Sequence, residues 1–388
     1  MRIAVVVRSL KIGGMERVAV NLSEAFDKAG HESHLIYFKA KGKKLSPSGA
    51  VKEHYFDLER TLKKTGIGFL LFILAKLLNG IFRGTFFLYN GLLLAPIFKY
   101  KLQKLEKSCG KFDLIIIRGH GTFELIWPYK DDRVIQMVES VFLRDKTKLD
   151  KLYIKSVYEG KHLAGVSLGV KEKILEVTSK FKIKPASVDL IYNPIDVQNI
   201  TRYADKYSPE IDTPYILSVG RVTPNKNIPF LLRSYAIAKE RYQCMIPLVI
   251  IGDGHDMPQV KRTIKELHLQ ESVKLLGLLE NPYPWMKQAA LLTSTSKAEG
   301  FGMVIVESLI CHTPVVTTKS RGGIRDIMVD ELREYMVDFN EDAFACKIVQ
   351  VSKERPHLEY EKYFKRFASE VIVQEYLSYM QQKRVHSL

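Results

Sequence analysis

Ser294-Thr295-Ser296-Lys297-Ala298-Glu299-Gly300-Phe301-Gly302-Met303-Val304-Ile305-Val306-Glu307-Ser308-Leu309 is the stretch that decides how this chain is read. Before it, Ala289-Ala290-Leu291-Leu292-Thr293 predicts a buried strand; Gly300 and Gly302 predict a turn, and the spacing of Val304, Ile305, Ser308 and Leu309 predicts a helix. The N–H groups of a helix's first turn have no partner inside the helix, and the helix dipole leaves partial positive charge there. Gly300 and Gly302 let the backbone approach a ligand, so Phe301, Met303 and Val304 can offer N–H donors to phosphate or hydroxyl oxygens. Glu299 and Glu307 frame the turn, about two helical turns apart. Ionised carboxylates only accept hydrogen bonds, which suits the paired hydroxyls of a ribose or a hexose. A solvated helix with two incidental glutamates has the same spacing, so the Gly-Phe-Gly turn between the acids carries the weight.

The run from Glu299 to Leu309, followed by Thr313-Pro314-Val315-Val316, resembles the E-x7-E signature of glycosyltransferase family 4. That resemblance implies an α/β fold of GT-B type, two Rossmann-like doubly wound domains facing across a cleft, and a retaining enzyme using a nucleotide-sugar donor. It further implies that Glu307 holds the nucleotide ribose. Glu299, with the N–H groups of Phe301, Gly302 and Met303, would hold the donor sugar.

A chain of 388 residues is too long for one ordinary core and suits two domains. Its composition, 46% apolar and 26% charged, is that of a globular protein. Cys109, Cys244, Cys311 and Cys346 are scattered without C-x-x-C or Cys/His spacing, which suggests neither a zinc site nor a disulfide framework. A reducing cytosol is the simplest setting. The first 200 residues carry +14 of the net charge of +16, so the basic character belongs to the first half. No zinc finger, RNA-recognition signature or basic zipper accompanies it, so nucleic acid is not the expected partner.

Arg2-Ile3-Ala4-Val5-Val6-Val7 reads as a buried parallel strand, and Gly13-Gly14 as a turn before an amphipathic helix. The opening is too short and lacks the small-residue site of a signal peptide. Family 4 members carry a similar Gly-Gly-x-Glu, so the resemblance implies that Gly13 and Gly14 lie near the donor phosphates and the acceptor. His34–Phe38 reads as the second strand. From Gly66 to Phe98 the chain is unusually apolar, with lysines on both flanks, yet its longest uncharged run is below the roughly 18 residues of a membrane span. It predicts either a core helix pair or a helix lying in the interface of an anionic bilayer.

Phe112–Ile117 predicts another strand, with His120 at its carboxyl end, where open α/β sheets place ligands. Val134–Ser140 predicts the next. Many family members have His and then Asp there, close to the reacting carbon; this chain has Val138 and Glu139, so Glu139 is the candidate replacement carboxylate. Asn193-Pro194-Ile195-Asp196 resembles the family's I-x-N-G-I-D at the domain crossing, which implies a place for Asn193 at the donor, and a polar linker, Arg202 to Pro214, follows.

The second half opens with a strand and Gly220-Arg221-Val222-Thr223-Pro224-Asn225-Lys226-Asn227. Departure of a nucleoside diphosphate builds negative charge that fixed cations stabilise, Arg as a planar fork and Lys as a point charge. The family carries G-R-x4-K-N here, which implies that Arg221 and Lys226 hold the pyrophosphate. Gly252-Asp253-Gly254 resembles the family's G-D-G-P, with Gly252 near the donor, and Gly322-Gly323-Ile324-Arg325-Asp326 its G-G-x-x-E. A stripe from Tyr363 to Met380 predicts one terminal helix.

The expected organisation is residues 1–195 for the acceptor, 196–360 for the nucleotide sugar, and 361–388 as a helix returning to the first domain. The expected activity is retaining, metal-independent transfer from a nucleoside diphosphate sugar, by family habit UDP, to a glycan or glycolipid at the cytoplasmic membrane face. Lipopolysaccharide or surface polysaccharide assembly is the setting. Arg221, Lys226, Glu299, His120 and Glu139 are the catalytic candidates. No Asp-x-Asp or His/Cys cluster calls for a metal, and no cofactor besides the donor is expected. A non-catalytic sugar-nucleotide-binding or membrane-surface scaffold protein, or a synthase making a soluble glycoside, are the alternatives.

Overall fold

The computed structural model describes residues 1–141, 146–211 and 213–386; Asp212, in the expected linker, lies outside them. The chain divides into two units, Met1–Pro194 with Ser369–Leu388, and Ile195–Ala368.

In the first unit, β1 (Arg2–Ser9), β2 (Glu32–Lys39), β3 (Lys52–Tyr55), β4 (Leu114–Arg118), β5 (Val134–Val138), β6 (His162–Gly165) and β7 (Ser187–Leu190) form a sheet in the order β3-β2-β1-β4-β5-β6-β7. Every pairing is parallel. Helices on both faces explain why β1, β4 and β5 are β-branched without alternation. The second unit repeats the winding. Its strands are β8 (Ile216–Val219), β9 (Leu248–Ile251), β10 (Val273–Gly277), β11 (Leu291–Ser294), β12 (Ala298–Glu299), β13 (Val315–Thr318), β14 (Arg321–Gly322) and β15 (Met336–Val337). The main sheet runs β10-β9-β8-β11-β13-β15, and β12 pairs with β14 apart from it. Each half is therefore a doubly wound α/β unit whose strand order reverses once, at β1/β4 and at β8/β11. Carboxyl ends at such reversals leave a crevice for ligands.

Three elements differ from the sequence expectation. β3 gives no apolar alternation because Lys52 and Glu53 make it a charged edge strand. The terminal stripe is not one helix: it breaks into helix Tyr360–Phe364, a 3-10 turn Lys365–Phe367 and helix Ser369–His386. Ala368, with ψ 143°, is extended and bridges Ile195, while the Ile195 N–H donates to Phe367 O at 2.9 Å. The apolar phase survives the short turn, so periodicity alone hides the break. Tyr363 and Phe367 are buried in the second unit; Tyr376 is buried in the first, its ring 5.8 Å from Phe26.

The apolar 66–98 region forms helices Gly66–Ile81 and Phe86–Cys109, and they part company. Thr65 caps the first by accepting from the Gly68 N–H at 3.1 Å, and Asn79 Oδ1 closes the intervening turn on the N–H groups of Gly84 and Phe86. The second helix buries Leu94, Phe98 and Leu102. The first leaves a stripe outward: Ile67 is 75% exposed, Leu70 66%, Leu77 63% and Ile81 72%. Among the described residues no helix is long and apolar enough to cross a membrane.

One glycine is indispensable. A Cβ on Gly252, at φ +143°, would stand 1.9 Å from Gly220 O, so Gly252→Ala is expected to destabilise the second unit by on the order of 3 kcal/mol. A urea midpoint unchanged from the parent would contradict this packing.

In the first unit, buried His34 stacks on His54 with Nδ1 2.8 Å from Nε2, and meets Phe112 edge-on. Burial, and then the neighbouring imidazole, draw His54 down to about 4, and burial lowers His34. As pH falls below the ordinary value near 6.5, the unfolded chain takes up these protons before the folded one does. Stability present above that value is lost as pH falls towards 4, by roughly 1–2 kcal/mol for the pair after solvent screening. Urea midpoints at pH 7 and pH 5, in the parent and in His54→Asn, measure it: the variant should show a smaller drop.

Candidate active site

In the second unit, the loop after β8 and the turn after β12 are sewn together at the β8/β11 reversal. Asn225 does this: its Nδ2 donates to Ala298 O at 2.8 Å, its Oδ1 accepts from the Ala298 N–H at 3.2 Å, and its carbonyl accepts from the Lys297 N–H at 2.8 Å. Lys226 then runs across Gly220, where an added Cβ would stand 3.3 Å from its Cε, and donates from Nζ to Glu299 Oε1 at 2.5 Å. Ser296 Oγ donates to the same oxygen at 2.6 Å. Arg221 is exposed and pairs with no carboxylate among the described residues, so its guanidinium is available to a ligand. A small cavity beside them is lined by Ser218, Gly220, Lys226, Thr293 and Ser294.

Glu299 is held from behind as well, its carbonyl accepting from the Gly323 N–H at 3.0 Å. A Cβ on Gly323 would collide with Phe301 O at 2.5 Å, which explains the glycine pair Gly322-Gly323. Gly302, at φ +113°, turns the chain into helix Met303–Ile310. Phe301 is buried edge-on against Phe367, ring centroids 4.9 Å apart. Gly300, Met303 and Val304 remain partly exposed, and the helix opens there before the Ile305 N–H reaches Gly302 O at 2.9 Å. In the second turn, Glu307 accepts from Tyr283 OH at 3.5 Å. Thus Gly220, Lys226, Glu299 and the 300–304 turn meet, and Glu307 follows on the same helix. Sequence reasoning misses Asn225, Ser296 and Tyr283. Of these Asn225 alone carries a signal, its place before Lys226.

In the first unit, Gly13 starts helix Gly14–Lys28, its carbonyl accepting from the Arg17 N–H at 3.0 Å. Gly14 has open space where a Cβ would point. Beside this turn, Ser9 Oγ donates to Glu16 at 3.3 Å. His120 follows the carboxyl end of β4 and is partly exposed. Its ring packs with Phe123 and Tyr153, its Nε2 lies 2.7 Å from Tyr158 OH, and burial draws it down to about 4, so it is neutral at pH 7. Asn193, expected at the donor, is buried and its Oδ1 accepts from Arg118 at 2.6 Å. Glu139, just past β5, is paired with Arg118.

A model described as Glycosyltransferase Family 4 matches residues 12–199, and one described as Glycosyl transferases group 1 matches residues 199–371. The second match spans the Gly220, Lys226, Glu299 and Glu307 arrangement. Each half of the chain thus matches a glycosyltransferase model, and the fold is of GT-B type. A crystal structure of Staphylococcus aureus TarM with UDP superposes with a TM-score of 0.70 at 15% identity, covering 98% of this chain and 100% of that one. Among curated relatives, the N-acetylgalactosamine-N,N'-diacetylbacillosaminyl-diphospho-undecaprenol 4-alpha-N-acetylgalactosaminyltransferase of Campylobacter jejuni is 36% identical over 161 residues, 42% of this chain and 43% of its own. The matched stretch therefore spans less than half the length of that relative. The poly(ribitol-phosphate) alpha-N-acetylglucosaminyltransferase of Staphylococcus aureus is 20% identical over 86% of this chain and 62% of its own.

Proposed function

We propose that this protein transfers a sugar, with retention of configuration, from a UDP-sugar to a glycan or glycolipid hydroxyl at the cytoplasmic face of a membrane, in lipopolysaccharide or surface polysaccharide assembly. The observation that carries this reading is the Lys226–Glu299 ion pair, laid over Gly220 beside the opening of helix Met303–Ile310. In that arrangement Lys226 and the exposed Arg221 neutralise charge on the departing diphosphate, the contribution a metal makes in other transferases. Glu299 and Glu307 accept from sugar and ribose hydroxyls. Retention follows from attack on the face the diphosphate leaves. The acceptor oxygen bonds to the anomeric carbon, the sugar–phosphate bond breaks, and the acceptor proton passes to the phosphate oxygen. No carboxylate nucleophile is needed, so the paired-carboxylate geometry of glycoside hydrolysis does not apply.

Two of the relatives named above act, by their names, on a diphospho-undecaprenol-linked glycan and on a poly(ribitol phosphate), which supports a surface-glycan acceptor. The outward apolar stripe of helix Gly66–Ile81, with Lys63, Lys64 and Arg83 at its ends, supports peripheral contact with anionic lipid. A thermal-shift panel of UDP-, GDP- and ADP-sugars, followed by donor consumption, tests the proposal. A UDP-sugar should raise the melting temperature and be consumed slowly by water. If no nucleotide sugar does either, the reading fails.

A further inference from the structure

Arg118 is the largest polar side chain in the interior of the first unit, and stability does not account for it. It ends β4 with 0% exposure. One nitrogen, Nη2, donates to Asn193 Oδ1 at 2.6 Å and forms an ion pair with Glu139 Oε1 at 2.6 Å without hydrogen-bond alignment. Its Nε and Nη1 are buried without a hydrogen-bond partner among the described residues. Burying a guanidinium is costly, and the cost is recovered only when the whole fork is engaged. Uncharged residues of similar shape at both ends of the Arg118–Glu139 pair would fold this unit as well, although removing Arg118 alone strands a largely buried carboxylate. The charge at position 118 therefore answers to something other than folding.

What it acts on is Glu139. β4 and β5 are neighbours, so the carboxyl end of one sets Arg118 beside the residue that follows the other. Within this group Arg118 and Asn193 are sealed, whereas the Glu139 side chain is 13% exposed and reaches the surface at the sheet's carboxyl edge. Among the described residues, the charged and titratable groups facing Glu139 are Arg118 from β4, Glu16 from helix Gly14–Lys28, and the buried phenol of Tyr376 from helix Ser369–His386. Burial raises the Glu139 carboxyl, Glu16 adds to that, and Arg118 opposes both. Arg118 is the one among them that favours the charged carboxylate, aided by a hydrogen bond from Asn193, and its place beside Glu139 Oε1 fixes where the carboxylate points.

We propose that Arg118 is a positioning residue that holds Glu139 ionised and aimed so that it accepts the hydrogen bond of the acceptor hydroxyl. This rests on the glycosyl-transfer reading above. Glu139 takes no bond and keeps no proton in the step; it orients the hydroxyl whose proton leaves on the phosphate. An ionised carboxylate is the form that accepts, so acceptor-dependent turnover falls on the acid side as Glu139 protonates.

The test uses the full chain with a consumed nucleotide sugar and an accepted glycan, and compares Arg118→Met, Arg118→Lys, Glu139→Gln and the Met/Gln double variant. Arg118→Met should lose about 100-fold in acceptor-dependent kcat, keep the parent's donor KM and its rate of donor hydrolysis by water, and move the acid limb of its pH profile upward by a unit or more, while the Met/Gln double variant, with no charge left unpaired, should melt no lower than the parent. Arg118→Lys, which retains the charge, should recover part of the rate and most of the limb's position. Glu139→Gln should lack that limb, and adding Arg118→Met to it should cost nothing more, because the two residues act as one. An unmoved acid limb, or losses that simply add in the double variant, would overturn the proposal. If Arg118→Met fails to fold, an Arg118→Lys profile identical to the parent's, with an additive Lys/Gln double variant, overturns it equally. Donor hydrolysis is read without acceptor. Its absence in the parent counts against glycosyl transfer itself, and its persistence in the Glu139 variant separates the two questions.

Discussion

Lys226→Ala is expected to lower turnover by about 100- to 1,000-fold, the cost of removing one fixed donor from a developing anion elsewhere. The structure explains why one side chain weighs so much. Lys226 is tethered at Nζ by Glu299 and stretched over Gly220, so its charge is already placed when the donor arrives. A mobile lysine would have to be ordered and desolvated during the reaction; this one is not. The fold should survive. Glu299 loses a partner but keeps the Ser296 hydroxyl, and its partial exposure lets water replace the ammonium. Arg221→Ala should fall in the same direction, and Lys226→Arg should recover little, because a planar fork does not reproduce a point charge in that geometry. Donor consumption and acceptor labelling, with melting temperatures within a few degrees of the parent's, give the measurement. Parent-level turnover in Lys226→Ala would remove the proposed chemistry.

The second large effect concerns helix Gly66–Ile81. Leu70→Ser, Leu74→Ser and Leu77→Ser together should cost about 100-fold in binding to vesicles of anionic lipid, as roughly 1 kcal/mol is lost per half-embedded leucine. Ile67, Leu70, Leu74, Leu77 and Ile81 recur on one face, and all five point outward while Gly68, Phe72 and Ala75 pack inward. Such a stripe on a lone chain is otherwise an aggregation hazard. Turnover of a water-soluble acceptor should not change, and salt should weaken what binding remains by screening the flanking lysines. Flotation reads the binding and size-exclusion mass the association state. Should the triple substitution convert a dimer to a monomer and leave flotation untouched, the stripe is a contact between copies rather than a lipid surface.

Much of the fold and of the candidate site is legible in the residues themselves. The strand runs at β1, β4, β8 and β9 announce parallel sheets because a strand covered on both faces has no polar side to show. Gly300-Phe301-Gly302 and Gly220-Arg221 mark turns after strands, and Gly302 at φ +113° is such a turn. The split between the two apolar helices is not legible in this way. Both are rich in leucine and phenylalanine, and nothing local says which will find a neighbour to pack on. Nor does the sequence show the partner of His120 at its strand end, Tyr158, 38 residues on.

The order of the chain by itself determined the two-fold repetition of strand, glycine turn and helix, and the residue types at each carboxyl edge, because backbone conformation and helix-end chemistry depend on neighbours within a few positions. Only the tertiary structure decided which charges meet: Lys226 with Glu299, and Arg118 with Glu139 and Asn193. Those partners are far apart along the chain, and the energy of a charge pair depends on distance and burial in space, which no short window of sequence contains.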